Sequence, residues 1–210
     1  MNWINSKFYG DLLIFTNYIL LSLLWIICCL PVMTIFAATT SMFSVVKNWR
    51  NGGDERILSE FFGAMKKSIF QKILINFIFI LFFIVVYEDL TLMTSIQSSL
   101  LFLGISFILL STLLMFSVLV HIFNIYIQFE KISIVILFKN ALLISAAQFK
   151  WTIAGIAFLL LCAITVYVLP FLLFIIGSFV AFVLISISER SLNNMGLKES
   201  GGVIEKYNSY

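Results

Sequence analysis

Four polar side chains recur along one long apolar stretch of the chain. Ser117, His121, Asn124 and Gln128 stand at positions i, i+4, i+7 and i+11, so a helix places them in a single stripe. A histidine beside an amide and a hydroxyl could relay protons or line a wet cavity, because polar side chains at membrane depth usually face the interior of a helix bundle. The favoured interpretation is simpler, namely that the stripe holds neighbouring helices together by hydrogen bonds.

Catalytic and metal-binding residue sets are absent from the sequence. His121 is the only histidine, and no acidic residue falls inside a predicted span. Cys28, Cys29 and Cys162 lie within apolar stretches without CxxC spacing, as expected of buried packing residues. The HExxH and Gly-x-Ser-x-Gly patterns and a phosphate-cradling glycine loop are also missing. We therefore expect no enzymatic activity, no catalytic or metal-ligating residue and no cofactor.

The composition assigns these residues to a membrane protein. Of the 210 residues, 62% are hydrophobic and 11% are charged, and the mean hydropathy is +1.11. A water-soluble fold is excluded because so little polar surface cannot cover a globule of this size. Lipid offers no partners to backbone groups, and the apolar runs are long instead of alternating, which favours helices over a barrel. The sequence predicts an all-α, polytopic transmembrane helical bundle.

Two prolines divide the apolar stretches. Residues 151–188 contain no charged side chain and have Pro170 at their middle. One helix of that length would be nearly twice as long as the roughly 30 Å hydrocarbon layer is thick, so we predict two spans that turn at Pro170. A first span ends at a kink formed by Pro31 and Thr34. The prediction is one membrane domain over residues 1–190 with about five spans, at about 12–33, 73–87, 100–127, 151–168 and 171–188, and a short polar cytoplasmic tail over 191–210.

Two shorter apolar segments lie between the predicted spans. Residues 34–46 are too short to cross unaided, and we interpret them as a kinked continuation of span one or as an interfacial helix. Residues 132–149 carry Lys139 near their centre. Burying this lysine in the bilayer would cost roughly 2.5–3.5 kcal/mol, which favours a helix lying on or dipping into the inner face. The sequence leaves open whether either segment crosses.

The basic residues predict the orientation, because short loops rich in Lys and Arg stay cytoplasmic. The loop after span two contains Glu88 and Asp89 and no basic residue, so it is placed outside. Twelve of the thirteen basic residues fall on the opposite side: Lys47, Arg50, Arg56, Lys66, Lys67, Lys72, Lys131, Lys139, Lys150, Arg190, Lys198 and Lys206. We therefore expect a multi-pass cell-membrane protein with its amino terminus outside and its carboxyl terminus in the cytoplasm. The first span is expected to be retained, since no Ala-x-Ala cleavage site closes it.

An amphipathic helix is predicted from Asp54 to Lys72, before span two, with Asp54 as its N-cap. Its basic residues could simply fix the topology and touch the anionic lipid of the inner leaflet, which is the favoured interpretation. The alternative is a docking face for a partner protein. The candidate inner-face contact residues are Arg56, Phe61, Phe62, Lys66 and Lys67.

The segment from Asn17 to Lys72 also carries a resemblance to a known family. It contains Leu-Pro-Val-Met-Thr at 30–34, Ala-Ala-Thr-Thr at 37–40 and a basic stretch with Phe61-Phe62. This arrangement resembles the YesL family of uncharacterised bacterial integral membrane proteins, which has a Pro-x-x-Thr pattern after span one and a Phe-rich basic helix before span two. This chain departs from the family where Phe36 and Ala37 replace a common Gly-Pro pair.

The resemblance implies a multi-span membrane fold and no reaction. Members of that family are often encoded beside carbohydrate ABC transporters and glycan-degrading enzymes, which implies a link to sugar uptake. We therefore predict an accessory or interaction protein linked to ABC-type carbohydrate uptake. Its expected partners are the lipid bilayer with its anionic inner leaflet and components of a sugar ABC transporter; self-association is compatible with the sequence, and nucleic acid is not expected.

The alternative function is a small-solute transporter or channel subunit in which the stripe from Ser117 to Gln128 lines the path. About five spans, no evident internal repeat and almost no buried charge are poor material for a coupled ion and substrate site, so this alternative ranks second.

Overall fold

The computed structural model describes residues 3–53, 56–93, 100–129 and 132–194, and in these ranges the chain is helical without any strand. This confirms the prediction of an all-α membrane bundle. Short 3₁₀ turns at Val32–Thr34 and Pro170–Leu172 connect two pairs of helices. The helices are α1 (Trp3–Cys29), α2 (Ile35–Arg50), α3 (Ile57–Lys66), α4 (Ile69–Met93), α5 (Leu100–Gln128), α6 (Ile134–Ala147), α7 (Phe149–Val168) and α8 (Leu173–Asn194).

Four segments of the described chain are long and apolar enough to cross a membrane. They are Ile69–Leu92, Gly104–Gln128, Phe149–Val168 and Pro170–Leu192, and Ile14–Cys29 and Ile134–Ala147 are shorter apolar helices. Large apolar side chains cover the outside of these segments, as Phe70, Phe107 and Tyr167 do. Such a surface requires lipid around it, because it would expose a continuous apolar area to water. The residues of the predicted tail beyond position 194 lie outside the described part.

Helices α1 and α2 form an antiparallel hairpin. The indole Nε1–H of Trp25 donates to the hydroxyl of Thr39 at 3.1 Å, and the ring of Tyr18 lies 5.3 Å from that of Trp49 between centroids. Residues later in α2 therefore contact residues earlier in α1, as expected of antiparallel helices. The segment 34–46 thus turns back along α1 and does not continue it.

Helix α2 is the most buried helix of the described chain. Phe36 and Phe43 both pack against Phe123 of α5, with ring centroids 5.2 and 5.0 Å apart. Small residues such as Ala37 and Ala38 let other helices approach its backbone closely. Residues 34–46 were expected at the membrane interface as one possibility, whereas the structure places them inside the bundle. Its buried residues are Phe36, Ala37, Ala38, Thr40, Ser41, Met42, Phe43, Val45 and Val46.

The break between α1 and α2 is closed by two polar side chains. The Thr34 hydroxyl lies 2.6 Å from the carbonyl oxygen of Cys28. On α4, the buried amide of Asn76 donates to the carbonyl of Val32 at 2.9 Å and accepts from the N–H of Phe36 at 3.2 Å. These bonds satisfy main-chain groups that a helix end leaves free. Asn76 therefore fastens the turn of the hairpin to α4.

The predicted helix from Asp54 to Lys72 is interrupted. Helix α3 ends at Lys66, Lys67 has an extended ψ of 120°, and Ser68 adopts a left-handed φ of 53°. This conformation is unfavourable for a residue with a side chain, and it interrupts the helix before α4 begins. Asp54, predicted as the N-cap, lies outside the described residues.

Close backbone approach holds α7 against α5. A Cβ added to Gly155 would lie 2.6 Å from a methyl group of Val120, closer than side chains tolerate. Glycine at 155 is therefore required by packing, in the manner of small residues at membrane helix interfaces.

The bonds of Asn76 predict a large effect of its removal. Asn76→Leu leaves the buried N–H of Phe36 without its described partner and removes one of two donors to the carbonyl of Val32, the other being the N–H of Ile35, so we expect a loss of about 2 kcal/mol of stability. Thermal unfolding in mild detergent measures it. Asn140→Leu is the matched control, because the side-chain nitrogen of Asn140 is buried without a partner among the described residues and loses no bond. Equal Tm values for the two variants would contradict the fastening role of Asn76.

Candidate functional site

The predicted polar stripe lies on α5 and is mostly buried. His121 is 0% exposed, Asn124 is 1% exposed and Ser117 is buried as well, while Gln128 at the end of the helix is partly exposed. The stripe therefore faces other helices over most of its length. Among the described residues, no acidic side chain is hydrogen-bonded to a member of the stripe, so each member is judged by its own contacts.

His121 connects three helices. Its Nε2 lies 3.0 Å from the hydroxyl of Thr152 on α7, and its Nδ1 lies 3.3 Å from the hydroxyl of Ser188 on α8. The single hydroxyl proton of Thr152 goes to the carbonyl of Ser145 at 3.0 Å or Gln148 at 3.2 Å, so Thr152 accepts from Nε2–H of His121. Nδ1 then accepts from Ser188. This assignment, made from the hydrogen-bond network, gives a neutral histidine with both nitrogens bonded.

Two other members of the stripe, Ser117 and Asn124, differ in how well they are bonded. The hydroxyls of Ser117 and Ser145 lie 3.3 Å apart and join α5 to α6. Asn124, in contrast, has no hydrogen-bond partner at either amide atom within the described part of the chain. Together, Ser117 and His121 tie α5 to α6, α7 and α8 through uncharged hydrogen bonds. This arrangement supports the interhelical role, which was the favoured interpretation.

The chemistry available in the described residues is limited. Within the ranges given above, no group of three or more His, Cys, Asp or Glu side chains could hold a metal ion. The free thiols of Cys28, Cys29 and Cys162 are at least partly buried. The expectation of no enzymatic activity stays a prediction.

The candidate contact residues of α3 fall on two faces. Phe61 is 0% exposed and packs in the core with Ile57, so it is not available to a partner, and its inclusion in the contact surface is corrected here. Phe62 is 42% exposed, and Lys66 and Lys67 are exposed as well. The two neighbouring phenylalanines face different sides because successive helical residues are about 100° apart.

A cleft of about 300 Å³ lies where α1, the end of α2 and α8 meet. Arg50 at its rim forms an ion pair with Glu189 at 2.9 Å and lies 5.3 Å from the centroid of the Phe182 ring. The cleft therefore has an aromatic wall and a paired charge. It is lined by Ile14, Asn17, Tyr18, Trp49, Arg50, Gly53 and Phe182.

A smaller cleft of about 80 Å³ lies between α2, α3, α4 and α5. Its distinguishing feature is a pair of lysines, Lys67 at the α3–α4 break and Lys72 on α4. The sequence predicts Lys72 at the end of the amphipathic helix between spans one and two, whereas the structure buries it in the bundle. The residues that line this smaller cleft are Thr40, Ser44, Ala64, Lys67, Ser68, Lys72, Tyr126 and Ile127.

Sequence reasoning missed the polar residues that join distant helices. Asn76 stands alone among apolar neighbours in α4, which was a usable signal for an interhelical bond. Ser22 and Ser178, whose hydroxyls lie 2.7 Å apart and join α1 to α8, had no such signal. Serine is common in apolar helices, so only the packing shows which serines meet.

One comparison with known proteins gives a match. Residues 18–90 match the family model described as protein of unknown function, DUF624, and this region contains α2, α3 and most of α4. The chain is therefore similar to an uncharacterised family in the region that carried the resemblance, and the assignment to YesL stays a prediction. No curated protein and no solved structure gives a significant match.

The bonds of His121 predict a structural effect of its removal. His121→Ala leaves the hydroxyl of Ser188 without its described partner and opens a cavity, so we expect a loss of about 2 kcal/mol or more, measured as a lower Tm in detergent. Gln128→Ala is the control at the exposed end of the same stripe and should change Tm little. A His121→Ala protein as stable as the wild type would refute the tie between α5, α7 and α8.

Proposed function

We propose that the protein is a non-enzymatic accessory protein of the cell membrane that binds a partner through the exposed face of α3. The partner in this proposal is a component of an ABC-type carbohydrate-uptake system, as expected if the chain is a YesL-family protein. The observation that supports a contact surface is the exposure of Leu58 and Phe62, at 55% and 42%, on a helix that also presents Lys66. An apolar centre beside basic residues is typical of a protein interface.

The exposed face of α3 is rigidly supported, which favours recognition. The opposite face is anchored by Ile57 and Phe61 in the core. The side-chain amide of Asn48 on α2 donates to the carboxylate of Glu60, which fixes the helix from the side. A surface that is already ordered loses less entropy when it binds. A partner can therefore bind α3 without first ordering it.

The same features also suit contact with anionic lipid, because basic residues beside apolar ones lie well at the inner leaflet. This alternative differs in one respect that can be measured. Lipid contact tolerates changes in the arrangement of the charges, whereas a protein interface depends on their positions.

We also propose that the amino-terminal end of α1 lies on the cytoplasmic side, with the carboxyl-terminal end of α8. The support comes from the larger cleft, where Ile14 and Tyr18 of α1 meet Arg50 and Gly53. If the basic segment after α2 is cytoplasmic, the start of α1 is cytoplasmic too. This proposal replaces the predicted outer position of the amino terminus, and it places Lys7 on the same side as the other twelve basic residues.

A charge-reversal experiment tests the contact surface. We expect Arg56→Glu combined with Lys66→Glu to reduce capture of the transporter component by about tenfold, because the charges at the rim then repel the partner. The measurement is crosslinking from Phe62, replaced by a photo-reactive residue, in native membranes, followed by mass spectrometry. Lys139→Glu, at an exposed lysine of α6, is the control. Capture that survives the double reversal, or that yields lipid alone, would contradict the proposal.

Cysteine labelling tests the orientation. In a cysteine-free background, Ser6→Cys and Ser59→Cys should both resist a membrane-impermeant maleimide applied to intact cells, and both should react after the membrane is permeabilised. Val168→Cys, at the end of α7, should react in intact cells and provides the control. Labelling of Ser6→Cys from outside, with Ser59→Cys protected, would restore the outer amino terminus.

A further inference from the structure

Lys72 is a buried lysine without an acidic partner among the described residues. It is 3% exposed. Its ammonium group donates to the carbonyl of Ala64 and lies 5.7 Å from the centroid of the Tyr126 ring. Neither group carries a net negative charge, and the described residues contain no ion pair to Lys72. A buried ammonium without a counter-charge is strongly unfavourable, so this position calls for an anion.

The smaller cleft gives such an anion room and access. Lys72 lines it together with Lys67, and its volume of about 80 Å³ exceeds what one water molecule needs. The cleft opens at the α3–α4 break, where Lys67 and Ser68 are exposed. An anion can therefore enter from the side on which the basic residues lie.

The lining of the cleft is rich in hydrogen-bond donors. Lys72 has three N–H groups, of which the carbonyl of Ala64 takes one. Ser44 has no hydrogen-bond partner among the described residues, so its hydroxyl is available to a ligand. Among the described residues, no carboxylate lines the cleft. On α3, Glu60 does not line the cleft, and one of its carboxylate oxygens accepts from the side-chain amide of Asn48.

The broken helix is what brings the two lysines to one place. Residues five positions apart, such as Lys67 and Lys72, point to different sides of a continuous helix. The left-handed Ser68 between them, with φ at 53°, redirects the chain so that both lysines line the same cleft. The strained conformation of Ser68 thus allows Lys67 and Lys72 to line one cleft.

We propose that this cleft binds a phosphate group between Lys67 and Lys72. A phosphate has several acceptor oxygens, which matches two ammonium groups and a free hydroxyl better than a single-charge halide would. It belongs either to the headgroup of an inner-leaflet phospholipid or to free phosphate. The site is separate from the exposed face of α3, and it does not depend on the proposed docking function.

The experiment uses the full chain, purified in mild detergent and stripped of lipid. Native mass spectrometry measures the binding of phosphatidylglycerol, and thermal shift measures the binding of inorganic phosphate. The variants are Lys72→Met and Lys67→Met, since methionine keeps the length and apolar stem of lysine. Lys66→Met, at an exposed lysine that does not line the cleft, is the matched control.

We expect both cleft variants to bind the phosphate-bearing probe about tenfold more weakly than the wild type, with Lys66→Met unchanged. A loss confined to phosphatidylglycerol identifies a lipid headgroup, and a loss of the stabilisation by inorganic phosphate identifies a soluble ligand. Lys67→Met keeps the test decisive if Lys72→Met does not fold, because Lys67 is exposed. Binding that is absent in the wild type, or equal in Lys67→Met and the control, overturns the proposal.

Discussion

The main-chain groups at the break between α1 and α2 impose the constraint on which the bundle depends. A helix that ends inside an apolar environment leaves carbonyl and N–H groups that lipid cannot satisfy. Thr34 covers the end of α1, and Asn76 reaches from α4 to the carbonyl of Val32 and the N–H of Phe36. The turn can therefore exist only where α4 is packed against it. The local sequence makes the break, and Asn76, which is distant in the sequence, supplies hydrogen bonds that stabilise it.

The fixed turn determines the position of α2, and the contacts of α2 determine how α3, α5 and α8 pack around it. Once α2 runs back along α1, its phenylalanines contact α5, and its final arginine reaches Glu189 of α8. Helix α3 follows directly and buries Phe61 in the same core. The central helix of this fold is therefore the short helix α2. Its central position depends on its small side chains and on its neighbours on several sides, and less on its length.

The sequence predicted the helical class because that property depends on composition and on runs of apolar residues, which are local. It did not predict the burial of α2, because a segment of that length can lie in the core or at the membrane interface. The bonds of Asn76 and the packing of Ala37 and Ala38 determine which of the two positions α2 takes. The stripe was found from helical spacing, but Thr152 and Ser188, the partners of His121, lie on other helices. Lys72 was misjudged because the break at Ser68 is not encoded by a glycine.

Buried polar groups in this bundle divide into those that are bonded and those that are not, and the difference indicates where a ligand is needed. His121 is satisfied at both nitrogens, so it contributes to structure without requiring anything further. Asn124 has no hydrogen-bond partner among the described residues, yet it lines neither cleft, and its amide carries no net charge. Lys72 is buried, has no ion pair among the described residues and lines a cleft that a second lysine shares. Because an uncompensated charge is far more unfavourable than an uncompensated dipole, Lys72 is the position at which a bound anion would stabilise this protein most.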